Sequence, residues 1–160
     1  MADASLARVD ELVGGLADEL VPGSALVVTA DHGMLDCPPE TRIAIEEDPR
    51  LTANVDRIAG EPRARHLYVA NGSAAEVQAA WRESLGTRAD VFTRTELVDS
   101  GLLGPVDVEL ADRIGDVMVI ARTGTLLASR FDSMVSQLLG QHGGLSPAEV
   151  RIPALIQRRD

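Results

Sequence analysis

Apolar and polar residues along this chain follow two rhythms. Leu6, Val9, Val13, Leu16 and Leu20 recur every three or four positions, with Asp10, Glu11, Asp18 and Glu19 between them. That spacing predicts an amphipathic helix over residues 5–20. Pro22-Gly23 breaks it. Residues 24–30 then form a nearly continuous apolar, β-branched run, the composition of a central parallel strand covered on both faces. The chain thus opens in the middle of a repeating α/β order.

Past His32 the rhythm shortens. Residues 35–39 read as a loop, 42–45 as a short strand, 46–49 as a turn and 51–58 as a second strand. Residues 66–69 form another strand, ended by Asn71-Gly72. Ser73 and Glu76 make a capping box that starts a helix running to Leu85, with Val77, Ala80, Trp81 and Leu85 on its inner face. A strand at 90–93 and a short helix at 95–100 follow. A helical turn near 108–113 leads to strands at 116–121 and 125–128, joined as a hairpin through Arg122-Thr123-Gly124. Ser146-Pro147-Ala148-Glu149 is a helix start, with serine as cap and proline in first position, and 152–156 closes as an apolar strand. The expected architecture is α/β: a mostly parallel sheet flanked by helices, built from 1–49 and 105–160, with an inserted α+β unit at 50–104.

Composition narrows the function classes. Apolar residues make up 45% and aromatics 2%, so Ala, Val, Leu and Ile must fill the core. The formal net charge of −10 repels polyanions at long range, which argues against a nucleic-acid scaffold. An acidic chain still binds phosphates where cations or helix N-termini supply local positive potential. Cys37 is the single cysteine, so neither an internal disulfide nor a thiolate zinc cluster is open to this chain. No run approaches the roughly 20 apolar residues of a transmembrane helix. The expectation is a soluble cytoplasmic protein with no membrane partner.

The candidate chemistry sits in two places. At Asp31-His32-Gly33 the apolar run ends in a carboxylate, an imidazole and a glycine. Carboxylate oxygen and imidazole nitrogen are both ordinary zinc ligands. Neighbouring side chains on a regular strand face opposite ways, so both reach one ion only where the backbone turns, which Gly33 permits. The carboxyl end of a parallel strand is also where open α/β sheets gather ligands. Asp-His-Gly alone reads equally well as a loop cap beside a backbone-bonded histidine. His142, between Gln141 and the Gly143-Gly144 pair, is the second potential ligand source; alone it reads as a surface-loop histidine. His66 falls in an alternating strand and takes a structural or solvent-facing role. Ser129, Ser133 and Ser136 lack a neighbouring base, Asp36 and Asp132 read as solvated, and Cys37 reads as an incidental thiol.

Taken in order, Val27-Val28-Thr29-Ala30-Asp31-His32-Gly33-Met34, Gly115-Asp116-Val117 and His142-Gly143-Gly144-Leu145-Ser146-Pro147 resemble the type I phosphodiesterase/nucleotide pyrophosphatase family of the alkaline phosphatase superfamily. The likeness extends over nearly the whole chain and implies an alkaline-phosphatase-like core. In that family two zinc ions flank a threonine or serine nucleophile. Carried over by motif, Asp31 and His32 bind the metal that activates the nucleophile, and His142 binds the metal that activates water. The implied substrates are nucleotide-like or other small phosphoesters, cleaved at phosphodiester or pyrophosphate bonds.

One departure matters. The family's nucleophile, an early aspartate and an Asp-x-x-x-His pair precede the Asp-His-Gly strand. Residues 1–30 here contain no histidine and no nucleophile motif. The expectation is a C-terminal portion of a larger hydrolase, truncated at its N-terminus, with no catalytic nucleophile of its own. Two divalent ions, zinc by preference, belong to the complete enzyme and bind this chain weakly or not at all. An exposed sheet edge would favour self-association. The alternatives are a phosphomutase of the same superfamily and a non-catalytic α/β module that keeps residual ligands.

Overall fold

The computed structural model describes residues 2–132 and 134–160. In chain order the early elements are α1 (Ala2–Asp18), β1 (Ser24–Thr29), β2 (Leu35–Asp36), β3 (Arg42–Ala44), α2 (Pro49–Thr52), β4 (Val55–Glu61) and β5 (Ala64–Val69). There follow α3 (Ala74–Leu85), β6 (Ala89–Thr93), α4 (Arg94–Asp99), β7 (Val117–Ala121) and β8 (Leu126–Ala128). Last come β9 (Gly140–Gln141), α5 (Pro147–Val150) and β10 (Ala154–Arg159). The chain divides into two compact units, Met1–Asp31 with Arg151–Asp160, and His32–Val150.

In the first unit α1 carries the predicted helical spacing. Val13 and Ala17 are half-buried, while Leu6, Val9, Leu12 and Leu16 stay exposed. β1 pairs with β10 in an antiparallel ladder, Ser24 opposite Arg159 and Thr29 opposite Ala154. Arg159 Nη1 donates to Asp18 O at 2.6 Å, fastening the ribbon to the end of α1. No described side chain of this unit is fully buried.

The second unit contains the core. Its main sheet runs β4-β5-β7-β6, antiparallel throughout. β7 (Val-Met-Val-Ile-Ala) is buried at every position, as befits an interior strand covered on both sides. Alternation separates its faces. Val117, Val119 and Ala121 pack with Leu67, Trp81, Leu85 and Leu127 in the larger cluster. Met118 and Ile120 join Leu97 and Ile114 in the smaller one. Both helices against this sheet start from capping boxes, Ser73 with Glu76 for α3 and Thr93 with Glu96 for α4. Trp81, fully enclosed, is the largest core side chain.

The mixed α/β architecture agrees with the expectation, but the strand pairing departs from a mostly parallel sheet. Parallel pairing joins β3 to β8; the other ladders among the described residues are antiparallel. Parallel neighbours need long crossovers. β3 and β8 have one, whereas only Pro62-Arg63 separates β4 from β5 and forces a reversal. The predicted hairpin at 122–124 is a turn, with Thr125 N–H donating to Arg122 O at 3.1 Å, but its arms enter different sheets. The expected strand at 51–58 begins later: Asp48 accepts from Arg50 N–H and Pro49 opens the helical turn α2, so Leu51 is a buried helical residue. The central sheet also takes in β7, beyond the 50–104 segment, because a strand apolar on both faces is best covered between β5 and β6.

Candidate functional site

Within the His32–Val150 unit, two segments meet through the short ladder of β2 with β9, which sets Leu35 opposite Gln141 and Asp36 opposite Gly140. Cys37 N–H extends it by donating to Leu139 O at 2.8 Å. His32 lies just before β2 and His142 just after β9, so an antiparallel register carries both to the same end of the ladder. Their rings stack with centroids 3.7 Å apart and planes 12° from parallel. His32 Nδ1 donates to Gly33 O at 2.7 Å. That bond puts the proton on Nδ1 and the lone pair on Nε2, the tautomer a metal-binding imidazole needs. Asp31, the residue before His32, belongs to the other compact unit and is exposed.

The His32–Val150 unit also holds a buried ion pair. Arg63 Nε and Nη2 reach Glu149 Oε1 and Oε2 at 2.5 and 2.8 Å, with side chains 0% and 1% exposed. The guanidinium also donates to Thr125 O at 2.5 Å and Ala121 O at 3.3 Å, and to Cys37 Sγ at 3.7 Å. Glu149 accepts further from Gly144 N–H at 2.8 Å, Ser146 N–H at 3.2 Å and Ser146 Oγ at 2.6 Å. Its main-chain carbonyl accepts from Gly33 N–H at 2.7 Å. Burial alone would raise the Glu149 pKa, but the bonds from Arg63, Ser146 and Gly144 outweigh it and hold the carboxyl at about 2. Burial likewise opposes charge on Arg63, yet Glu149 raises its pKa. The Cys37 thiol is pushed up by burial, against the opposing pull of Arg63.

Two glycines are required by close approach. A Cβ on Gly33 would collide with Ala148 O, and one on Gly144 would lie 2.7 Å from Arg63 Nη2 and 2.8 Å from Glu149 Oε2. Gly144 therefore answers to the ion pair, and Gly33 to the main chain of α5.

The remaining candidates have structural partners. His66 Nδ1 accepts from Gly115 N–H at 3.0 Å, and burial lowers its pKa, as a structural role requires. Asp132, expected to be solvated, pairs with Arg65 at 2.5 Å and accepts from Ser129 N–H at 2.8 Å. Ser129 Oγ donates to Glu46 at 2.6 Å. Asp36 is exposed on β2, and Ser133 lies outside the described residues. Arg63 and Glu149 escaped the sequence reading. The signal was half visible: Ser146-Pro147-Ala148-Glu149 announces a capped turn, but nothing local ties it to an arginine on the far side of the chain.

For divalent metal the residues fit in part. Imidazoles are the donors zinc and its neighbours take. Near-parallel rings keep their in-plane lone pairs in separate planes, which suits one ring per ion better than two rings on one ion. Among the described residues, no group of three or more His, Cys, Asp and Glu is arranged to hold a metal. A catalytic zinc takes three protein ligands, more than the two imidazoles of this pair offer. Among the described residues no helix is long and apolar enough to cross a membrane.

The fold recurs in solved phosphoester and phosphonate hydrolases. Murine ectonucleotide pyrophosphatase / phosphodiesterase 5 superposes with a TM-score of 0.71 at 20% identity, over 94% of this chain and 39% of that one. The human protein of the same name gives 0.74 at 18% identity, over 97% and 40%. Phosphonoacetate hydrolase from Sinorhizobium meliloti 1021, in complex with phosphonoformate, gives 0.60 at 22% identity, over 98% and 39%. The murine protein has also been solved, in an inactive form, in complex with AMP. The chain spans about two fifths of the length of these structures. No curated protein sequence matches it. The fold is therefore one that this chain shares with these hydrolases. More specifically, the type I phosphodiesterase / nucleotide pyrophosphatase profile matches residues 2–145, and the chain belongs to that family.

Proposed function

We propose that this chain carries part of the metal centre of a phosphodiesterase or nucleotide pyrophosphatase acting on small phosphoesters of the nucleotide type. The observation that carries the reading is the stacking of His32 on His142 at 3.7 Å, which joins two motifs far apart in the sequence. In this reading Asp31 and His32 serve one divalent ion and His142 the other, zinc being the preferred metal. Bound ions of this kind lower the pKa of a coordinated hydroxyl or water and neutralise charge building on phosphorus. The chain's own contribution is to present the His32 Nε2 lone pair, fixed by the Nδ1 bond to Gly33 O, and to hold the second imidazole alongside. The AMP and phosphonoformate of the solved relatives support a small anionic substrate.

With three ligands shared between two ions, this chain alone binds zinc weakly and does not turn over. Calorimetric zinc titration of the wild-type chain and of the D31A, H32A and H142A variants tests the assignment. Weak uptake that each substitution diminishes is the expected result. Unchanged uptake in H32A and H142A would favour a non-catalytic α/β module. Strong metal-dependent cleavage of a nitrophenyl phosphodiester by the purified chain would overturn the claim that it is inactive alone.

A further inference from the structure

We infer that Glu149, anchored by Arg63, is the positioning residue that holds the His32 and His142 segments together. The inference rests on the metal-centre reading for its purpose, but not for its geometry. One residue grips both segments. Its main-chain carbonyl takes the N–H of Gly33, next to His32. Its carboxylate takes the N–H of Gly144, two residues beyond His142, together with the N–H and hydroxyl of Ser146. Five donors, counting Arg63 Nε and Nη2, converge on two carboxylate oxygens.

Only an ionised carboxylate meets that demand. A carboxamide of the same shape offers one acceptor oxygen and sets an NH₂ group against groups that also donate. Arg63 makes the grip rigid, because its other bonds, to Thr125 O and Ala121 O, tie Glu149 to the ends of β7 and β8 in the core. A change at Glu149 is therefore transmitted to both imidazoles, while the central sheet keeps its own ladders. Glu149 bonds to the main chain beside the histidines and not to their rings. It therefore stands one step behind the outer-sphere partners whose loss typically weakens metal binding by about 10–100-fold.

The test is made on the full chain with Glu149→Gln, and with Glu149→Asp as the conservative rescue. Proton NMR of the metal-free protein reads the ring-current displacement of the His32 and His142 side-chain protons, and amide exchange reads Gly33 and Gly144. Zinc titration adds a separate readout. The expected result for E149Q is a cooperatively folded chain with diminished ring-current displacement and faster exchange at both glycines. Its zinc affinity should fall by about 10-fold, the lower end of the range for direct partners of metal ligands, with partial recovery in E149D. A folded E149Q with unchanged ring shifts and unchanged exchange overturns the inference, whatever zinc does. If the wild type takes up no zinc while E149Q still disturbs the rings, the positioning role stands and the metal assignment fails. Should E149Q not fold, the double variant R63M/E149L substitutes apolar side chains for the buried pair, a change often tolerated. It removes the acceptor for Gly144 and Ser146, and the same NMR outcomes decide.

Discussion

In the unit His32–Val150, Leu67, Trp81 and Val119 are wholly shielded from solvent, whereas in Met1–Asp31 with Arg151–Asp160, Leu6, Leu12 and Leu155 are each 63–66% exposed. Both regions carry the same kinds of residue at the same kinds of spacing. What differs is the number of layers. β7 lies between two neighbouring strands and has an apolar cluster on each face. β1 has a ladder on one edge with β10 and a helix in its own unit, and its side chains alternate between half-buried and exposed. A hydrophobic stripe states which face seeks cover; only a second layer supplies the cover.

The contrast can be broken by substitution. Trp81→Ala should cost about 3–5 kcal/mol, read as a lowered denaturation midpoint. A smaller effect is expected from acid. The Glu149 carboxyl sits at about 2 when folded against 4.5 for an ordinary glutamate. Its contribution is therefore complete above 4.5 and lost as the pH falls toward 2. His66, whose pKa burial also lowers, acts in the same direction beginning below its ordinary 6.5. Thermal melts across this window should fall steeply for the wild type and less steeply for R63M/E149L. Smallest of all, Leu12→Ala on exposed α1 should change stability by no more than about 0.5 kcal/mol. A loss near that of Trp81→Ala would mean that the α1 stripe is covered in solution and that the contrast between the regions is not real.

Features encoded within a few residues were legible in the sequence. Ser73 with Glu76 announced α3, the spacing of Leu6 to Leu20 announced α1, and the run ending in Asp31-His32-Gly33 announced a strand followed by candidate ligands. The meeting of His32 with His142 followed from a family resemblance, and the stacked rings agree with it. Strand partners were not legible, because pairing depends on what the rest of the chain brings alongside. β7 and β8 look like a hairpin in sequence, yet β8 is better satisfied in parallel with β3. Leu51 followed the Asp48-Pro49 helix start rather than its own apolar character. Arg63 and Glu149 were invisible for the same reason: a buried charge is recognised by its partner, and the partner here is distant in sequence.

The sole cysteine gives this architecture a practical use. The Cys37 sulfur is fully enclosed, within reach of Arg63 Nη1, and its thiol is held toward the protonated, unreactive form. An alkylating reagent can reach it only when its surroundings part. The rate of labelling therefore measures how often the unit opens around Arg63 and Thr125, without any probe being introduced.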